Sequence, residues 1–161
     1  MGVVDERFEA FFRSVRRQEL IILVWGPGLP APEANDEMRL YWQKRNQIRD
    51  VVQARFPNAK VLFSESPELR DKTRQLGDVL VEELAHAQIA DCILILDVSR
   101  GASLELDRFS ADPVIADKIR LLIPERFVGG TGLISSVHER VRVTGFTRDQ
   151  LQSCTGTTFR F

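Results

Sequence analysis

Glu105 closes the segment Ser99-Arg100-Gly101-Ala102-Ser103-Leu104-Glu105, which follows the apolar run Cys92–Leu96 and Asp97. A carboxylate in this company has a specific use. It can attack an anomeric carbon, as in retaining glycoside chemistry, or it can stabilise an oxocarbenium-like transition state. Ser99 and Ser103 supply hydroxyls, and Gly101 lets backbone come close to a ligand. A helix opening at Leu104 would add free N–H groups. A second acid, Glu83, precedes Asp91 by eight residues. It would orient the first acid or protonate a leaving base, provided its helix turns it toward the same edge; Glu82 is its rival for that place. A glutamate in a first helical turn is ordinarily just favourable with the helix dipole. The hydroxyls and the glycine directly before Glu105 are what argue for chemistry.

Other chemistries find less support. His86 and His138 have no third His and no Cys beside them, so no metal site is expected. No Gly-x-Ser-x-Gly elbow would activate a serine. Gly26-Pro27-Gly28 lacks the later glycine of a dinucleotide fingerprint and has no Walker lysine, so no cofactor is expected. Trp25 and Trp42 could stack a base, although core packing is the commoner fate of such residues.

The elements that must place these groups alternate along the chain. Val4, Phe8, Phe11, Phe12 and Val15 predict an amphipathic helix within residues 1–18. Glu19 to Trp25 reads as a first strand, ending at Gly26-Pro27-Gly28. Glu37 to Phe56 reads as a long helix with Met38, Trp42, Ile48, Val52 and Phe56 inward. Its basic residues, Arg39, Lys44, Arg45, Arg49 and Arg55, are expected on a solvated face. Ala59 to Phe63 is a second strand, leading into Ser64-Glu65-Ser66-Pro67. A helix over Asp71 to Gln88 carries the stripe Leu76, Val79, Leu80, Leu84 and Ala87. Cys92–Leu96, apolar on both faces, predicts a central buried strand. Leu104 to Ala116 reads as one helix, and Asp117 to Ile123 as a fourth strand. Arg140 to Phe146 reads as a fifth strand, at an edge because it alternates with charge. Thr147 is placed to cap a last short helix, and 154–161 form an irregular tail.

This alternation predicts an α/β chain of βαβ units, a three-layer Rossmannoid or flavodoxin-like fold on a parallel sheet of four or five strands. One domain over 1–161 is expected. The carboxyl ends of the strands would gather Gly26, Pro27, Glu65, the Ser99–Glu105 segment and Glu125 along one ligand-binding edge. Composition sets the outer bounds. Hydrophobic residues are 43%, charged residues 28% and the formal net charge −1, which gives no bulk signal for nucleic acid. No apolar run approaches the length of a membrane span, and the acids Asp5, Glu6 and Glu9 speak against a secretory signal. Two cysteines, Cys92 and Cys154, predict reduced thiols and a cytoplasmic protein.

Ser99-x-Gly101-x-x-x-Glu105 after a buried strand resembles the nucleoside 2-deoxyribosyltransferase-like superfamily, as do the Gly26-Pro27 turn and an acid, Glu83, on the helix before that strand. The resemblance runs from about Leu20 to Pro124. It implies Glu105 as the catalytic residue and Glu83 as its assistant, although the family acid at that place is often Asp. It implies no cofactor, and a homodimer. The residue six before the glutamate separates branches: nucleoside transferases tend to carry Asp, whereas the 2′-deoxynucleoside 5′-monophosphate N-hydrolases carry a Ser that contacts phosphate. Ser99 with Arg100 beside it fits the second, since a hydroxyl, backbone N–H groups and a guanidinium favour a phosphate. Gly101 and Ser103 would complete that cradle, with Gly26 and Pro27 on the sugar or base. Ser99 to Ser110 is also similar to the nucleosidase-type effectors of bacterial anti-phage systems such as retrons. A TIR-like enzyme cleaving NAD and a non-catalytic nucleotide sensor are the alternatives the same edge would serve.

Overall fold

The structure is a computed structural model that describes residues 19–96, 106–128 and 140–152. The expected first helix within 1–18, the Ser99–Glu105 segment, the Gly129-Gly130 loop and the tail lie outside the described residues.

Five strands form one sheet, parallel throughout: β1 (Ile21–Trp25), β2 (Lys60–Leu62), β3 (Cys92–Leu96), β4 (Ile119–Pro124) and β5 (Arg142–Phe146), in the order β2-β1-β3-β4-β5. This is the flavodoxin-like order. Helices cover both faces, giving the expected three layers. Alternation along the strands divides the core in two. Leu23, Trp25, Ile93, Ile95, Ile119, Leu121 and Ile123 face one side, and Ile22, Val24, Leu94, Leu96 and Leu122 the other. β3 is buried on both faces, as its unbroken apolar run requires. The charged strand is an edge among the described residues: there β5 pairs only with β4, and Arg142 is exposed.

The second face is covered by α1 (Asp36–Arg55). Asn35 caps it, its Oδ1 accepting from the Met38 N–H at 2.9 Å, and Asp36 and Glu37 complement the dipole. The inward stripe is Tyr41, Lys44, Arg45, Ile48 and Val52. Two expectations are therefore corrected. Met38 is exposed and Trp42 only half-buried, while Lys44 and Arg45 are inside. Lys44 Nζ donates to the Gln150 carbonyl at 2.6 Å, tying α1 to α5 (Arg148–Gln152). Thr147 caps α5 as expected. Its Oγ1 accepts from the Gln150 N–H at 3.2 Å, and Gln150 Oε1 accepts from the Thr147 N–H at 2.8 Å.

The first face is covered by α2 (Pro67–Thr73), α3 (Val79–Ile89), a helical stretch at 106–110 and α4 (Pro113–Ala116). The expected helix over 71–88 is thus two helices. A 3-10 turn at Arg74–Leu76 ends at Gly77, whose φ of +70° is the left-handed conformation only glycine adopts freely, and Asp78 then caps α3 through the Leu80 N–H at 2.8 Å. The expected helix over 104–116 is likewise interrupted, because Asp112 and Pro113 begin α4 afresh. The apolar stripe of α3 is corrected too. Val79, Leu80 and Leu84 are exposed, and Ala87 and Ala90 face the sheet with His86. His86 is buried in its neutral form, burial holding its pKa below the ordinary value. Its Nε2 meets Thr73 Oγ1 at 3.0 Å, and that hydroxyl donates in turn to the Leu69 carbonyl.

Candidate functional site

The strand order has one consequence for ligand binding. β1 lies between β2 and β3, and the chain leaves it in opposite lateral directions, so the crevice of an open α/β sheet opens at the carboxyl ends of β1 and β3. Trp25 pairs with Ile95, so Gly26 lies beside Leu96, the last residue of β3. Gly26 has φ +153°, and a Cβ there would meet the Leu96 carbonyl oxygen at 3.2 Å, Leu96 Cβ at 3.3 Å and Arg45 Cδ at 3.4 Å. The β1 exit is thus pressed against the point from which the chain departs toward Ser99. Gly26→Ala is expected to cost about 2 kcal/mol in urea unfolding, combining an unfavourable φ with a contact against backbone. A loss below about 0.5 kcal/mol would show that the turn relaxes at no cost.

Arg45 organises the other side of the crevice. It is 1% exposed, yet every N–H of its guanidinium is used. Nε and Nη2 donate to the Val24 carbonyl at 3.1 and 2.9 Å, Nη1 to the Pro27 carbonyl at 3.2 Å, and Nη1 and Nη2 to Glu65 Oε1 and Oε2 at 2.6 and 2.7 Å. The Phe63 ring lies 4.2 Å from its central carbon. The reason for this arrangement lies in β2, which pairs with β1 only from Ile21 to Leu23. Beyond Leu62 the ladder ends, and the guanidinium spans the gap from Val24 to the Glu65 loop.

Glu65 is therefore held by both oxygens, with Oε2 also accepting from Ser64 Oγ at 3.1 Å. Its side chain remains 40% exposed. Burial raises its pKa, but the Arg45 hydrogen bonds and charge, its own backbone N–H and Ser64 together outweigh that, and the carboxyl sits below the ordinary 4.5. The sign for stability follows: a depressed carboxylate contributes fully above the unfolded value and loses its contribution as pH falls through the folded one. The stability difference between the wild type and Glu65→Gln, followed by urea unfolding across pH, is expected to be constant above about pH 5 and to shrink below about 4.5. A difference that stays constant down to pH 3 would exclude an ionised Glu65 as its source.

The structure thus joins Gly26, Pro27 and Glu65 into one cluster through Arg45, a residue the sequence reading assigned to the solvated face. Glu83 is half-buried and shares the inward stripe of α3 with His86, Ala87 and Ala90, in the second turn of that helix. Since α3 leads into β3, its N-terminal turns lie at the carboxyl edge of the sheet. Glu125 opens an exposed 3-10 turn directly after β4. Ser99, Arg100, Gly101, Ser103 and Glu105 lie outside the described residues. Their flanks are placed: Leu96 on one side, and Leu106 and Phe109, both buried, on the other.

Neither Trp25 nor Tyr41 offers an open platform at the β1 exit. Trp25 is buried against Phe109, ring centroids 4.9 Å apart, and its Nε1 has no hydrogen-bond partner among the described residues. Tyr41 is buried as well, and burial, then the charge of Glu37, raises its hydroxyl pKa. Burial likewise pushes the Cys92 thiol up, which favours its protonated form. Among the described residues no three His, Cys, Asp or Glu side chains group as metal ligands, and no helix is long and apolar enough to cross a membrane. No protein-family model matches the chain, and no curated protein is a significant match to it.

Proposed function

We propose that this protein cleaves the N-glycosidic bond of a 2′-deoxynucleotide, with Glu105 as nucleophile or oxocarbenium stabiliser and Glu83 as the acid that orients it or protonates the departing base. The observation that carries the reading is the junction of Gly26 with Leu96 at the switch point of the sheet. Such folds bind ligands in the crevice at that point, and Leu96 is the last described residue before Ser99 in sequence. The resemblance to nucleoside 2-deoxyribosyltransferase-like enzymes supplies the roles. Ser99, Arg100, Gly101 and Ser103 hold the 5′-phosphate, and Gly26 and Pro27 flank the sugar or base. As the C1′–N bond breaks, its electron pair leaves with the base. The base takes a proton, and C1′ is captured by the Glu105 carboxylate and then by water or a second base, or by water directly.

Chromatographic detection of free base tests this across deoxynucleotides, ribonucleotides and NAD. Base release from the deoxynucleotides, lost in Glu105→Gln, is the expected result. Nicotinamide release from NAD alone would select TIR-like chemistry instead, and no release from any of them would overturn an enzymatic reading.

A further inference from the structure

Arg45 and Glu65 do more than close a gap in the sheet. We propose that Glu65 is the hydroxyl-reading residue of the site, accepting a hydrogen bond from the free sugar hydroxyl of a nucleotide, and that Arg45 is the residue that positions it. The proposal rests on the nucleotide reading of the crevice but not on its catalysis.

Which member of the pair can face a ligand is a matter of counting donors. Arg45 has none left, since all its N–H groups go to Val24, Pro27 and Glu65, and it is almost wholly covered. It is therefore excluded as a phosphate ligand despite its charge. Glu65 keeps capacity: Oε1 accepts one bond, Oε2 two, and the side chain is 40% exposed. An ionised carboxylate accepts and never donates. It selects O–H or N–H groups, and a deoxynucleoside 5′-monophosphate whose phosphate is held elsewhere has one free sugar hydroxyl, at the 3′ position.

Position and charge agree with this use. Glu65 lies just beyond β2, and Arg45 holds it 20 residues along the chain beside the β1 turn. In dinucleotide-binding sheets an acid at the end of the second strand takes a ribose hydroxyl from the same place. A bare carboxylate there would repel a phosphorylated ligand; the guanidinium cancels that charge at 2.6 and 2.7 Å. The fork also fixes the carboxylate plane, and its contact with the Pro27 carbonyl sets that plane relative to the β1 exit.

The test is equilibrium binding, kept separate from turnover by working in a Glu105→Gln background. Each of the four 2′-deoxynucleoside 5′-monophosphates is titrated by calorimetry beside its 2′,3′-dideoxy counterpart. With Glu65 intact the best-bound deoxynucleotide is expected to bind about ten- to a hundredfold tighter than the dideoxy form. Glu65→Gln should reduce that ratio to within about threefold, because a neutral amide makes the weaker bond and its other face is a donor. Arg45→Lys, which keeps the charge but loses the fork, should lower the ratio as well, and a merely structural pair would change stability while leaving the ratio alone. An unchanged ratio in folded Glu65→Gln, a wild-type ratio near one, or no nucleotide binding at all overturns the proposal. Discrimination without base release in the wild type would leave it standing and remove the glycosidase reading, while base release without discrimination does the reverse.

Discussion

Glu105→Gln is expected to lower base release from a 2′-deoxynucleoside 5′-monophosphate by about a thousandfold or more. The substitution keeps shape and removes charge. An amide neither bonds covalently to C1′ nor offsets the positive charge that develops on the sugar ring as the base departs. A thousandfold corresponds to about 4 kcal/mol of transition-state stabilisation, the scale on which a charged group in a water-poor site operates. On the proposed reading the loss should fall on kcat with KM little changed, because that reading gives ground-state binding to the phosphate and sugar contacts rather than to this carboxylate. Single-turnover base release against enzyme concentration checks it. Equal rates for wild type and variant would remove Glu105 from the chemistry, and a raised KM with kcat unchanged would make it a binding residue instead.

Arg45→Met is expected to destabilise the protein by about 3 kcal/mol. Removing one partner of a buried pair costs about 3 to 5 kcal/mol, and the lower end applies here because Glu65 can turn its exposed side to water. The Val24 and Pro27 carbonyls have no such escape, since Arg45 is their hydrogen-bond donor. Arg49 provides the control. It lies over the same Phe63 ring, 5.0 Å from its centroid, and pairs with Asp50, but it is 38% exposed. Arg49→Met should change stability by less than about 0.5 kcal/mol. Urea midpoints of the two variants, compared at one pH, separate the cases. A loss below about 1 kcal/mol at position 45 would mean that the clamp is held together by its surroundings rather than by the guanidinium.

The sheet was legible where side-chain pattern and burial coincide. Cys92–Leu96 is apolar throughout and occupies the centre, and Arg142–Phe146 mixes charge with apolar residues and lies at the edge. The helices were legible in place but not in phase. α1 was set by its apolar residues alone, which put Met38 and Trp42 inward; the buried stripe runs through Lys44 and Arg45, because their hydrogen bonds to distant carbonyls and a carboxylate offset desolvation. The periodicity that marks a helix face cannot see such partners. For α3, apolar residues on every side left the phase weakly marked, and the face turned to the core carries Ala87 and Ala90 while the larger Val79, Leu80 and Leu84 are exposed. The Gly77-Asp78 break carried a readable signal, a left-handed stop followed by a cap. Gly26, Pro27 and Glu65 were expected near one another from their places after strands, whereas the residue that links them, Arg45, was missed for want of a visible partner.

A last consequence concerns how this pair can change over evolutionary time. Losing the arginine first strands two carbonyls, and losing the glutamate first strands a cation in the interior. Either order crosses a valley of fitness, although the end point with two well-packed apolar residues need be no less stable. Positions 45 and 65 should therefore be inherited as a unit, and descendants that lack one should lack both.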